Sequence, residues 1–480
     1  MEKLSNFIAG NYRAPQGERY LPLYQPATGQ IYGQVPDSSS ADMDCAIAAA
    51  QAALPAWRKT TVLERAAILR KIATKIREQL EPLAAAESRD QGKPRWLARS
   101  VDIPRAAANF EFFASALEQN QEHCSQDGVG QPLHYTSRQG VGVCGLIVPW
   151  NLPLYLLTWK IAPALAMGNT VVAKPSELTP LTASLFAAIC AEVGVPAGVV
   201  NLVFGTGTGV GAYLVAHPQV PLISFTGSTA TGVAIVQASA AAVKKVSLEL
   251  GGKNPALIFA DAPWEKMLSM CLRSSFLNQG EICLSTSRIF VEEAVYPRFV
   301  AEFVARAQAL IVGDPQAAET FIGPLVSREH CAKVLAYIEM ARKWQGTIRC
   351  GGGAPRLPIA LADGYYCAPT VITDLPGDCP LLHEEIFGPV VTISSFRDEE
   401  EVLGYANSSP YGLAACLWTS DLDRARRISE ELAVGMVWVN TWMARDLRTP
   451  FGGMKASGLG REGGKYSLEF YSETKNICLG

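Results

Sequence analysis

Along this chain the apolar positions first keep a helical period and then, from residue 141, break into short runs. Between Ala46 and Gln79, apolar and alanine positions recur at helical spacing, which predicts helix with a break at Pro55. Asp102 to Leu117 predicts another helix, with Ile103, Ala106, Phe110, Phe113 and Leu117 near one face. Beyond residue 141, Leu146–Val148, Thr170–Ala173, Val199–Phe204, Leu222–Phe225 and Val246–Leu250 read as strands. Thr179–Val193 and Gly232–Ala242 suit helices between them. Short buried strands with intervening helices imply an α/β fold with a parallel sheet and right-handed crossovers. A second α/β pattern runs from Gly251–Gly252 to about Gly453. Tyr466–Cys478 alternates like a strand that can pair within or between subunits.

The most apolar region, Val141–Ala173, is interrupted by Pro149, Asn151, Pro153, Lys160, Pro163 and Asn169. A membrane span needs about 20 predominantly apolar residues, so this stretch reads as strand, loop and helix. With 480 residues, 49% hydrophobic and 18% charged, the chain has room for several cores and is not a disordered polymer. The net charge of −3 and the lack of a dense Lys/Arg run argue against a nucleic-acid partner. The 12 cysteines form no CxxC pair, and Met1-Glu2-Lys3 does not open a secretory signal, so reduced thiols and a cytoplasmic location are expected. Cys379 with His383 is a poor ligand pair, and no metal site is expected.

Three strand ends are candidates for holding a nucleotide. Gly207-Thr208-Gly209-Val210-Gly211-Ala212 satisfies GxGxxA, but no acid follows between Glu192 and Glu249 to take a ribose. A tight turn and a phosphate cradle remain equal readings of it. Lys174-Pro175-Ser176-Glu177 places a cation and a carboxylate at a strand end. Glu177 can accept from a ribose diol and repel a 2′-phosphate, which favours NAD over NADP; helix-start charge is the competing account. Phe225-Thr226-Gly227-Ser228 offers glycine and hydroxyl at a helix entrance, as a pyrophosphate seat or as a simple N-cap.

Candidate chemistry centres on Asn278-Gln279-Gly280-Glu281-Ile282-Cys283-Leu284-Ser285, where one thiol sits near a glycine with no histidine beside it in sequence. A thiol that attacks a carbonyl needs an oxyanion donor, a base and an electron acceptor. Asn151, held between Pro149 and Pro153, suits the donor, or merely caps loop backbone. Glu249, between two leucines at a strand end, suits a base of raised pKa, or faces solvent. Leu382-His383-Glu384-Glu385-Ile386-Phe387-Gly388-Pro389 offers a carboxylate and an aromatic wall, or a surface loop.

Taken together, PWN, KPSE, FTGST, LELGGKNP, NQGEIC, EEIFGP and Pro450-Phe451-Gly452-Gly453 follow one another over nearly the full length, and the chain resembles the aldehyde dehydrogenase superfamily. That resemblance implies a Rossmann-like cofactor domain (1–119 and 141–251) and an α/β catalytic domain (252–456). It also implies a small β oligomerisation element (120–140 and 457–480), in a homodimer or homotetramer. It marks Cys283 as nucleophile, Asn151 as oxyanion donor and Glu249 as base. It places Ile147, Trp150, Lys174, Glu177, Gly207, Phe225, Gly227, Ser228, Leu250, Glu385 and Phe387 around NAD.

A closer resemblance is to the 2-aminomuconic and 2-hydroxymuconic semialdehyde dehydrogenases. It is carried by Asp102-Ile103-Pro104-Arg105, Leu152–Lys160 and Arg445-Asp446-Leu447-Arg448. It implies a carboxylated small-molecule aldehyde, gripped by Arg105 and Arg445 with Trp159 and Phe451 nearby. Local pairing, Arg105 with Asp102 and Arg445 with Asp446, is the competing reading. The motifs are also compatible with a general or betaine-type aldehyde dehydrogenase, with an acylating enzyme that passes a thioester to coenzyme A, and with a non-catalytic relative that keeps the fold.

Overall fold

The protein is described by a computed structural model covering residues 2–480. Five parallel strands form the heart of its first sheet: β1 (Val143–Ile147), β2 (Thr170–Lys174), β3 (Val200–Leu202), β4 (Leu222–Thr226) and β5 (Lys245–Glu249). Their spatial order is 3-2-1-4-5, the doubly wound arrangement, so chains leaving β1 and β4 turn opposite ways and open a crevice at the strand carboxyl ends. Asn6–Ile8 and Asn11–Arg13 close one edge, and Gly458–Leu459 pairs antiparallel to β5 at the other. Register then sets the crevice rim. Lys174, Ile147, Phe225 and Leu248 stand side by side across four strands, with Thr226 opposite Glu249.

Helices Val62–Glu78, Ile103–Glu118 and Pro153–Ala166 cover one face of this sheet, sealing Leu69, Ile72, Phe110 and Phe113. Phe110 stacks on Phe186 at 5.7 Å. Each such side chain contributes roughly 1.5–3 kcal/mol by leaving water.

The second sheet has seven strands around Asn254–Ile258 and Thr286–Glu292, all parallel except the edge strand Thr347–Cys350. A third, three-stranded antiparallel sheet joins Cys124–Gln126, Leu133–Gly140 and Ser472–Leu479, and leaves the last of these as an open edge.

Two expectations from the sequence are corrected. The first helix, Ser40–Lys59, runs straight through Pro55 and ends at Thr60. Proline costs a helix one backbone bond, but Met43, Ala46, Ile47, Ala50 and Trp57 are buried along one stripe and hold the turns on either side. The break comes instead where Thr61 caps the next helix: its hydroxyl accepts from Glu64 N (3.2 Å) and its N–H donates to the Glu64 carboxylate (2.7 Å). Near the end of the chain, Gly464–Phe470 is a helix, not the first half of a strand. Gly463 N–H donates to Ser467 Oγ at 2.8 Å, and Leu468 and Tyr471 turn into the first core. The strand begins only at Ser472.

Candidate active site

Cys283 lies in the segment that joins the Trp264–Phe276 helix to the strand Thr286–Glu292. Three successive residues before it, Asn278, Gln279 and Gly280, have φ of 53°, 56° and 73°. Glycine is required at the third, because a side chain there would run into the Gly388 carbonyl. Buried donors then fix the segment. Asn254 Nδ2 donates to the carbonyls of Cys283 (2.7 Å) and Ser285 (2.9 Å), and Trp442 Nε1 donates to that of Leu284 (2.9 Å). The thiol itself is half-buried. Burial, with the carboxylates of Glu249 and Glu385, pushes its pKa up to about 12, against the opposing pull of Arg445.

Asn151 follows β1 and is buried. One N–H of its amide donates to the Glu281 carbonyl at 2.9 Å; the second remains for another acceptor. Its own backbone carbonyl accepts from Lys93 Nζ at 3.0 Å, and Lys93 in turn pairs with Asp102 at 2.6 Å. The side chain therefore does bond to loop backbone, and in doing so it ties the strand-end loop to the thiol segment.

Glu249 ends β5 facing inward, buried, with no hydrogen-bond partner on Oε1, so a solvent-facing Glu249 is ruled out. Burial and the neighbouring Glu462 raise its pKa well above the usual carboxylate range, while Lys160, Arg445 and Arg461 partly offset this. Glu462 accepts from Trp159 Nε1 (2.6 Å) and Lys160 Nζ (2.8 Å). Cys283, Glu249, Glu462, Trp159, Phe451 and Arg445 all line one narrow cavity of about 20 Å³.

A wider cavity of about 350 Å³ opens outside it, with Arg105 and Arg445 on its wall. Arg445 belongs to both cavities and stacks 3.9 Å above the Phe451 ring. Neither arginine makes the local ion pair. Asp102 is taken by Lys93, and Asp446 by Arg448 at 2.5 Å. Arg105 Nε and Nη2 are buried without a partner, near the Tyr155 ring (5.6 Å).

The remaining expected residues gather along the crevice of the first sheet. Ile147 and Phe225 form its apolar floor beside Leu250. Lys174 pairs with Glu177 at 2.6 Å. Ser228 caps the Thr229–Ala240 helix by accepting from Thr231 N (3.3 Å), and Gly227 leaves room for the Phe225 ring. Gly207 starts a wide helical turn capped by Thr206 and open to solvent, with Gly211 beside Lys174. Glu385 reaches across to accept from Gly252 N at 2.9 Å. Phe387, at φ 63°, stands edge-on to Trp150 at 5.3 Å. A cation, carboxylates, a capped helix start and an aromatic pair around one crevice fit a dinucleotide.

Sequence reasoning gave no role to four side chains around this site: the buried Lys93, Glu462 and Asn254, and the half-buried His330. Glu462 had a signal, a lone acid in Gly460-Arg461-Glu462-Gly463-Gly464. His330 had none. It lies 47 residues from Cys283 in sequence, and its ring packs 5.1 Å from Trp150.

Among the described residues no group of three or more His, Cys, Asp or Glu side chains is placed to hold a metal, and no helix is long and apolar enough to cross a membrane. The sequence profile of the Aldehyde dehydrogenase family matches residues 12–477. The chain is 49% identical to a 2-aminomuconic semialdehyde dehydrogenase of Mus musculus, over 99% of its own length and 98% of the relative's. It is 46% identical to a 2-hydroxymuconic semialdehyde dehydrogenase of Pseudomonas sp. (strain CF600), with 100% of both covered. The NAD+ complex structure of an aldehyde dehydrogenase from Bacillus cereus superposes with a TM-score of 0.97 at 38% identity, covering 100% of this chain and 97% of the other. With the profile spanning nearly every residue and the whole fold superposing, the chain belongs to the aldehyde dehydrogenase family.

Proposed function

We propose that this protein oxidises a carboxylated semialdehyde to the dicarboxylic acid with NAD, 2-aminomuconic and 2-hydroxymuconic 6-semialdehyde being the substrates to try first. The observation that carries the substrate class is Arg105, whose Nε and Nη2 are buried beside the outer cavity with no partner. Leaving charged donors unpaired is expensive, and a carboxylate satisfies two of them in one plane. Arg445, braced on Phe451 at the neck between the cavities, meets the same anion or guides it inward.

In this reading Cys283 attacks the aldehyde carbon. Its thiol is protonated at rest, so the proton passes to a base, and Glu249 in the same cavity is the candidate. The oxyanion that forms takes the second N–H of Asn151 and the Cys283 backbone N–H. NAD, when bound, supplies the hydride acceptor. Once Glu249 has passed the thiol proton to solvent, it takes a proton from the water that attacks the thioester carbonyl; the acid leaves and a proton returns to the Cys283 sulfur. Glu177 supports NAD over NADP, since its carboxylate opposes a 2′-phosphate. The open edge at Ser472–Leu479 supports pairing between subunits, and the 120–140 and 457–480 regions are proposed as the oligomerisation element of a dimer or tetramer.

The test measures kcat/KM for a carboxylated semialdehyde and for an uncharged aldehyde of similar length, with NAD and NADP in parallel. The carboxylated substrate with NAD is expected to win, and Arg105→Ala should narrow the gap. Equal losses on both substrates would sink the arginine clamp. Stimulation of NADH formation by coenzyme A would favour an acylating enzyme.

A further inference from the structure

His330 is the third residue of the Arg328–Lys343 helix, where Ser327 Oγ accepts its backbone N–H at 3.1 Å. That cap fixes the start of the helix and aims the imidazole away from it into the seam between the two large sheets' loops. The ring there meets three segments. Nε2 is 2.7 Å from the Phe387 carbonyl and 3.6 Å from Glu281 Oε1, and the ring packs against Trp150 at 5.1 Å.

The chemistry of these neighbours fixes the proton. The Phe387 carbonyl oxygen can only accept, so the ring carries a hydrogen on Nε2 and donates it there. Burial pulls the imidazole pKa down to about 4, which keeps the ring neutral and leaves the tautomer unchanged above that pH. Phe387 needs the support. At φ 63° a residue with a bulky side chain is strained and stays there only when its surroundings hold it. Its ring then stands at 84° to the Trp150 indole, completing a three-ring wall with His330.

We propose that His330 is a positioning residue for the cofactor side of the site: its Nε2–H pins the strained Phe387 carbonyl, and its ring braces Trp150, so that the aromatic wall is set before hydride transfer. The inference rests on the reading of Phe387 as a wall of the NAD site. It assigns His330 no contact with the reacting atoms. Cys283, Asn151 and Glu249 keep their own hydrogen bonds and cavity without it.

The experiment compares His330→Leu, which removes the donor and keeps bulk, with His330→Gln, which keeps a donor. Three readouts are taken: NADH formation with protiated and deuterated aldehyde, NAD affinity by calorimetry, and cofactor-free hydrolysis of a nitrophenyl ester. Ester hydrolysis needs the thiol, the oxyanion donor and the base, but no hydride transfer. For His330→Leu, kcat for NADH formation is expected to fall roughly tenfold to a hundredfold, because misplacing a reactant by about 1 Å has effects of that size. The deuterium isotope effect should rise, NAD affinity should weaken, and ester hydrolysis should stay within about twofold of wild type. His330→Gln should recover most of the lost rate.

Equal losses in both reactions, or a glutamine variant as poor as leucine, would overturn the assignment. If His330→Leu does not fold, His330→Asn replaces it as the short-armed variant that cannot reach Phe387, and the same contrast with glutamine decides. Should wild type cleave the ester but make no NADH from any aldehyde, the dehydrogenase reading fails separately. His330 is then judged by NAD affinity alone, and identical affinities in wild type and leucine variant overturn it.

Discussion

Around Cys283 the backbone carbonyls of residues 281, 283, 284 and 285 each accept from a buried side-chain donor, whereas Arg105, on the wall of the outer cavity, buries two donors that bond to nothing. The first region is held in place before any ligand arrives. Three positive-φ residues, the last a glycine against the Gly388 carbonyl, force the segment through a path that few sequences can follow. Such preorganisation is what a site needs if its donors are to meet charge as it develops, without rearranging first. The arginine region does the reverse. It keeps cationic donors uncommitted, with Asp102 and Asp446 drawn off by Lys93 and Arg448. On the proposed function, the contrast separates the groups that carry out the chemistry from those that select a substrate.

Substitutions break this contrast in a definite order. Cys283→Ala should remove both NADH formation and ester hydrolysis, on the order of 10⁴-fold or more, while the fold and NAD binding persist. Retention of either reaction would place the nucleophile elsewhere.

Glu249→Gln comes next, with an expected loss of roughly 10²–10⁴-fold in steady state. The pH dependence gives the sharper reading. Burial and Glu462 hold Glu249 protonated to unusually high pH, and a base works only when ionised. The rate should therefore climb with pH through the raised Glu249 pKa, and that rise should vanish in Glu249→Gln. A profile unchanged by the substitution would assign the base to another group.

Smaller effects belong to the arginines. Losing one charged hydrogen-bonded pair is worth about 2 kcal/mol, or roughly thirtyfold in kcat/KM, for a carboxylated substrate only. If Arg105 and Arg445 hold one carboxylate, the double alanine variant should lose less than the two single losses added together. Strict additivity would mean that they act at separate places. Glu177→Ser is the mildest change. It should raise relative use of NADP by several-fold and leave the aldehyde preference untouched if the Lys174–Glu177 pair serves the cofactor as proposed.

The sites that were legible in advance share one property: their information is local. Strands β1 to β5 announced themselves as short apolar runs between helical stretches, and all five formed near the expected residues. Cys283, Asn151 and Glu249 stood in segments whose glycines, prolines and flanking leucines were unusual in themselves. Where local pattern and packing disagreed, packing prevailed. Pro55 should end a helix, but a buried stripe from Met43 to Trp57 carries the helix past it. Tyr466–Phe470 alternates acceptably as a strand, but Leu468 and Tyr471 reach the core only on a helix.

What the sequence by itself determined, then, is the alternation of strands and helices, the order of the motifs, and the kinds of side chain available for thiol chemistry. Periodicity of two or of 3.6 residues is written into neighbouring positions and needs no partner to be read. Tertiary structure alone decided which distant groups meet. It set Glu462 against Glu249, gave Lys93 the Asn151 carbonyl as well as Asp102, and brought His330 to Phe387 and Trp150. Those meetings depend on how two sheets and their loops close over one another, and no spacing along the chain encodes that closure.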